Sequence, residues 1–79
     1  MRLDRTMDMT LDGARKMARA ALQSVDALNQ AVYEAKQTEP EPVFLAYRDA
    51  ASRAIMVLLE DVLNPVFAKY PELKPDGFR

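Results

Sequence analysis

The sequence contains no cysteine, no histidine and no tryptophan, and it has only two glycines among 79 residues. The absence of cysteine excludes disulfides and thiolate chemistry, and with histidine also absent the usual zinc ligand sets cannot form. Histidine is also the commonest general base, so the most frequent type of acid–base catalysis is excluded. Because Gly13 and Gly77 stand alone, the sequence has no glycine-rich phosphate-binding loop either.

An excess of charge of one sign is missing as well. Eleven Lys and Arg residues stand against twelve Asp and Glu residues, which gives a formal net charge of −1. No global field therefore draws the chain to nucleic acid or to an anionic membrane, and any such contact must be local.

The sequence also lacks a membrane-spanning pattern and a targeting pattern. Its longest unbroken apolar run, residues 54–59, is far shorter than the ~20 residues that span a bilayer. Residues 1–8 carry acidic side chains where a signal peptide requires an apolar region. We therefore expect no membrane association and a cytoplasmic location.

The first part of the chain has the periodicity of a helix with one buried face. Its apolar residues recur in alternating steps of three and four: Leu11, Ala14, Ala18, Ala21, Val25, Leu28, Val32 and Ala35. This row predicts helix 1 over about residues 10–37, with Thr10 as N-cap and Asp8 or Thr6 as alternative starts. Because alanine dominates the row, it predicts a close approach to a second helix that carries larger side chains.

A Glu-Pro-Glu-Pro segment follows helix 1 and predicts a turn over residues 38–42. Pro42 suits the first position of helix 2, which we expect over about residues 42–63. A short connection between two long helices favours antiparallel neighbours. The sequence therefore predicts an all-α fold built on a helical hairpin within one small domain.

Helix 2 is apolar on more than one side. A first row, expected to cover helix 1, collects Phe44, Tyr47, Ala51, Ala54, Ile55, Leu58 and Val62. A second row collects Leu45, Met56, Leu59 and Leu63, with Ser52 among them. One antiparallel neighbour cannot cover both rows, so the second row predicts self-association into a homodimeric four-helix bundle with two-fold symmetry. The alternative is that a short C-terminal helix folds back over the hairpin.

The chain beyond helix 2 is predicted to change direction at Asn64-Pro65. Either a kink or a separate short helix over residues 64–70 follows, and residues 71–79 form an irregular tail. Aromatic side chains gather in this region, and we expect Phe67, Tyr70 and Phe78 to form the patch that binds another protein.

No arrangement of residues predicts catalysis, a metal site or a cofactor. Glu60 and Asp61 are the adjacent carboxylates of the chain, but neighbouring residues of a helix point ~100° apart and do not converge on one substrate. Di-iron bundles require histidine, and no segment resembles a calcium loop. We expect that the protein is not an enzyme.

A basic cluster provides the alternative function. Arg15, Lys16 and Arg19 lie close together on helix 1, but Asp12 is placed to pair with the first two. No aromatic or polar base-reading side chains accompany them, so nucleic-acid binding is the weaker hypothesis. The main expectation is a small non-catalytic interaction module, an adaptor, regulator or accessory factor, that self-associates through helix 2 and binds another protein.

Overall fold

The computed structural model describes residues 9–76, and every regular element in that range is helical. The elements are α1 (Leu11–Thr38), α2 (Glu41–Val57), a π-helical turn (Leu58–Leu63), α3 (Asn64–Lys69) and a 3₁₀ turn (Pro71–Leu73). The two long helices α1 and α2 pack against each other, as the expected helical hairpin requires. The all-α prediction is confirmed for this part of the chain.

Helix α1 begins and ends where its capping residues place it. The backbone N–H of Gly13 donates to the Thr10 hydroxyl over 3.1 Å, so Thr10 is the N-cap. At the other end Glu39 is extended, and its N–H donates to the Ala35 carbonyl over 2.9 Å. The turn predicted over residues 38–42 is therefore shorter, since α2 already begins at Glu41, with a proline in its first turn.

Helix 2 does not break at Asn64-Pro65. Asn64 has helical torsion angles instead of the extended ones of an N-cap, and helical backbone continues from Glu41 to Lys69. The Asn64 N–H donates to the Leu59 carbonyl, five residues back, which is the hydrogen bond of a π turn. In a regular helix the Pro65 ring would crowd the Asp61 carbonyl, and the wider π turn directly before it relieves that crowding.

The π turn also changes which side chains face α1. Each residue of an α-helix advances by about 100°, so Leu63 would lie about 120° away from Ala51 in a regular helix. A π turn accommodates one extra residue, so it rotates all later positions back by about 100°, the angle of one residue. Ala51, before the turn, and Leu63, its last residue, are consequently both buried.

The hydrophobic core lies at the open end of the hairpin, away from the connection. Its buried residues are Ala14, Ala18, Ala21, Leu63, Val66 and Phe67. The small alanines of α1 leave room for the three large side chains of helix 2, as the alanine-rich row predicted. Toward the connection the buried hydrophobic residues are Ala35 and Ala51, so the two halves of the hairpin differ in the bulk of their interior.

The C-terminal end of the described chain is tied to the start of α1. The Tyr70 hydroxyl donates to the Met9 carbonyl over 2.9 Å, and Leu73 packs against the core. The tail expected to be irregular thus begins with the ordered turn Pro71–Leu73. The chain's own C-terminal segment thus covers part of the core, but within residues 9–76 no separate short helix folds back over the hairpin, because helix 2 continues to Lys69.

Replacing Leu63 by alanine should lower the free energy of unfolding by about 2–5 kcal/mol, because a fully buried side chain would leave a cavity. Leu45→Ala is the matched control, since Leu45 is 36% exposed and its loss should cost clearly less. Urea denaturation followed by circular dichroism measures both variants. Equal losses would mean that Leu63 does not lie in the core.

Tyr70→Phe should destabilise the chain by about 0.5–1.5 kcal/mol, because it removes the hydroxyl that donates to Met9 and retains the ring. Tyr33→Phe, at a 61% exposed position, controls for the loss of a tyrosine hydroxyl in general. Denaturant titrations of the two variants provide the comparison, and an unchanged midpoint for Tyr70→Phe would contradict the contact.

Candidate interaction surface

An apolar groove runs between α1 and α2 in the half of the hairpin near the connection. It has a volume of about 600 Å³, and its apolar lining includes Leu28, Ala31, Ala35, Tyr47, Ala51 and Ala54. The groove exists because small residues meet there on both helices, while the large side chains are used in the core at the other end. Ala31 and Ala54 are exposed, so the groove is open to solvent along one side.

The groove belongs to a longer uncharged surface, which we call the grooved face. Helical spacing in steps of three and four extends the lining into two adjacent rows. On α1 the row is Met17, Ala20, Ser24, Ala27 and Ala31, and on α2 it is Val43, Tyr47, Ala50, Ala54 and Val57. Although 29% of the chain is charged, none of these ten positions is.

Large apolar side chains on this face remain in contact with water. Met17 is 46% exposed, and Tyr47 and Val57 are each 53% exposed. Isolated apolar residues are common on protein surfaces, but a continuous uncharged face across two helices is typical of an interaction site. Tyr47 and Ala54, expected from the sequence in the row that covers helix 1, lie on this exposed face instead, which the sequence did not predict.

The charged side chains of the groove lie toward the connection. Together with Thr38, Glu34 and Glu39 form the rim of the groove there. The Thr38 hydroxyl donates to the Glu34 carbonyl over 3.3 Å, and Gln30 donates to the Glu34 carboxylate over 3.2 Å. Residues 9–76 contain no group of three or more acidic side chains placed to hold a metal ion. The remaining lining of the groove is mostly apolar.

The second row of helix 2 does not form one surface in the structure. Leu63 is fully buried in the chain's own core, and Leu59 is half-buried against it. Leu45 and Met56 remain exposed, at 36% and 52%. The π turn explains the difference, because it rotates the end of the row toward α1. Leu63 is thus not available to a second molecule in this arrangement.

The aromatic patch expected at the C-terminal end is also changed. Phe67 is a core residue with 7% exposure, and Tyr70 is half-buried with its hydroxyl bonded to Met9. Phe78 lies outside the described residues. Phe67 therefore does not contribute to an exposed patch.

The three basic residues of the alternative function are all exposed. Arg15 and Lys16 both approach Asp12, at 3.6 Å and 3.1 Å, and these pairs offset part of their charge. Arg15 and Arg19 share a second, smaller pocket of about 280 Å³ with Asp26 and Leu73, whereas Lys16 does not line it. The cluster is thus divided, and each part contains an acidic residue.

Within residues 9–76, the helices are too short or too polar to traverse a bilayer. No family model matches the chain, and no curated protein or solved structure shows significant similarity to it.

Replacing both Arg15 and Arg19 by glutamine should change the free energy of unfolding by less than about 0.5 kcal/mol, because exposed charges contribute little. Thermal melts at low and moderate salt measure this. A large destabilisation would show that these side chains support the fold. Binding of the unmodified chain to a DNA duplex that falls steeply between low and moderate salt, and is lost in the double variant, would revive the nucleic-acid hypothesis.

Proposed function

We propose that this chain is a non-catalytic protein-interaction module that acts as a homodimer, in which two helical hairpins stack into a four-helix bundle. The single observation that carries the proposal is the grooved face, an exposed, uncharged surface that includes α2. Helix bundles bury such faces against one another. Self-association through helix 2 thus keeps the function expected from the sequence but uses a different side of that helix.

The shape of the chain supports the proposal. The molecule measures 46 × 25 × 18 Å, and its radius of gyration of 14.6 Å exceeds the ~12 Å of a compact domain of this length. Two helices side by side form one layer, whereas stable domains are built from at least two packed layers. A second copy stacked on the grooved face would supply the missing layer.

The accessible surface area also supports the proposal. The chain exposes 5968 Å², whereas a compact protein of its mass exposes about 4,800 Å². A face of 46 × 25 Å is larger than the ~800 Å² that one partner contributes to a standard protein–protein interface, so two stacked hairpins have enough area for a stable dimer.

The grooved face is a better candidate for self-association than the second row. The exposed part of that row, Leu45 and Met56, is interrupted by charge: Arg48 and Asp49 follow Leu45 by one turn and pair over 3.4 Å, and Arg53 precedes Met56. In the proposed bundle Leu45 and Met56 stay on the outside. They are then the apolar positions available to another protein, in keeping with a role as adaptor, regulator or accessory factor.

Ala54→Glu should convert the dimer into a monomer, because it buries a carboxylate without a partner in the centre of the grooved face. Sedimentation at micromolar concentration should give the mass of a dimer for the unmodified chain and of a monomer for the variant. Ser52→Glu is the matched control, since the exposed Ser52 lies on the opposite side of α2, within the second row.

The two variants separate the possible faces. Dissociation by Ser52→Glu and not by Ala54→Glu would transfer the interface to the second row. A monomeric unmodified chain would refute self-association.

A further inference from the structure

We propose that the two copies stack antiparallel, with α1 of one chain crossing α1 of the other at Ser24, so that Met17 of each copy fills the groove of the other. This inference rests on the proposed homodimer and adds its geometry. It follows from the groove, from the positions of the large exposed side chains, and from the charge around the groove.

The groove and the side chain proposed to fill it lie at different ends of the same face. Met17 precedes Ala31, a groove residue, by fourteen positions, which is about 21 Å along a helix. If the hairpins stacked with their connections together, the two grooves of about 600 Å³ would face each other and form a cavity. Reversing one hairpin places the exposed Met17 over the groove instead, and close packing favours this arrangement.

The α1 row of the grooved face is symmetric about Ser24. Ala20 and Ala27 flank it at four and three positions, and Met17 and Ala31 stand seven positions away on either side. A two-fold axis that passes through Ser24 therefore brings Met17 onto Ala31 in both copies at once. Ser24 also lies at the middle of α1 (Leu11–Thr38), so the two helices overlap along their whole length.

Ser24 is suited to a buried position on that axis. Its hydroxyl already donates to the Ala20 carbonyl over 2.9 Å, so covering it leaves no donor without a partner. Because the flanking residues are alanines, two α1 helices can approach to about 10 Å between axes, which places facing Cα atoms about 5–6 Å apart. Cysteines at the crossing point would then be close enough for a disulfide.

Charge favours the same orientation. Glu34 and Glu39 lie at the rim of the groove. Stacking with the connections together would bring the rim carboxylates of both copies into one region, where they repel. In the antiparallel arrangement the two rims lie at opposite ends of the bundle.

The absence of cysteine makes the geometry directly testable. Ser24→Cys should form a covalent dimer under mild oxidation about a hundredfold faster than Gln30→Cys, because paired thiols react at an effective concentration in the millimolar range. Gln30 is exposed and lies outside the grooved face. The double variant Met17→Cys/Ala31→Cys should also cross-link between chains, whereas each of its single variants should not, because identical positions are about 21 Å apart.

The outcomes distinguish the geometry from the dimer itself. A dimer by sedimentation in which Ser24→Cys links no faster than Gln30→Cys would overturn the antiparallel crossing and leave self-association standing. So would a dimer in which Ser24→Cys links but the Met17→Cys/Ala31→Cys pair does not. A monomer at micromolar concentration would refute both proposals.

Discussion

The register of helix 2 across its π turn is the constraint on which the rest of the structure depends. Before the turn, Ala51 faces α1; from its last residue onward, Leu63, Val66 and Phe67 do. A regular helix would place Leu63 about 120° and Phe67 about 160° away from Ala51, and these side chains could not meet α1 together with Ala51. The side chains gathered by this rotation fill the space beside the α1 alanines, and each contributes roughly 1.5–3 kcal/mol by leaving water. Because of this rotation, the parts of helix 2 before and after the π turn both pack against α1.

The same rotation makes the hairpin uneven. The large buried side chains lie at the open end, where the Tyr70 hydroxyl also donates a hydrogen bond to the Met9 carbonyl. Near the connection, alanine meets alanine, which leaves the groove. The elements with few buried apolar contacts are those expected to open most easily, so the half with the groove is the less stable one. Covering the uncharged, solvent-exposed groove would therefore stabilise the half of the hairpin that has the fewest buried apolar contacts.

The sequence was sufficient where a local signal determines the structure. Thr10 capped α1, the prolines marked the connection, and steps of three and four identified Ala14, Ala18 and Ala21 as buried. It was insufficient at the π turn, because Asn64-Pro65 indicates the end of a helix as readily as a π turn, and uniform rotation by 100° places Leu63 in an outer row. Phe67 was assigned to a surface patch because helix 2 was expected to end before Pro65. The grooved face was overlooked because its small residues resemble a solvated helix side.

Stability and association are linked in a chain of this size. A small domain buries only about 60% of the surface that its unfolded chain exposes, and a single-layered hairpin buries less. Any partner that binds the folded state alone stabilises it by mass action. If the second copy binds the grooved face, it supplies large side chains to the half of the hairpin that has none in its own core. Met17 of the other chain then occupies the position of a core side chain. Interface and core would then be parts of one hydrophobic interior shared by two chains.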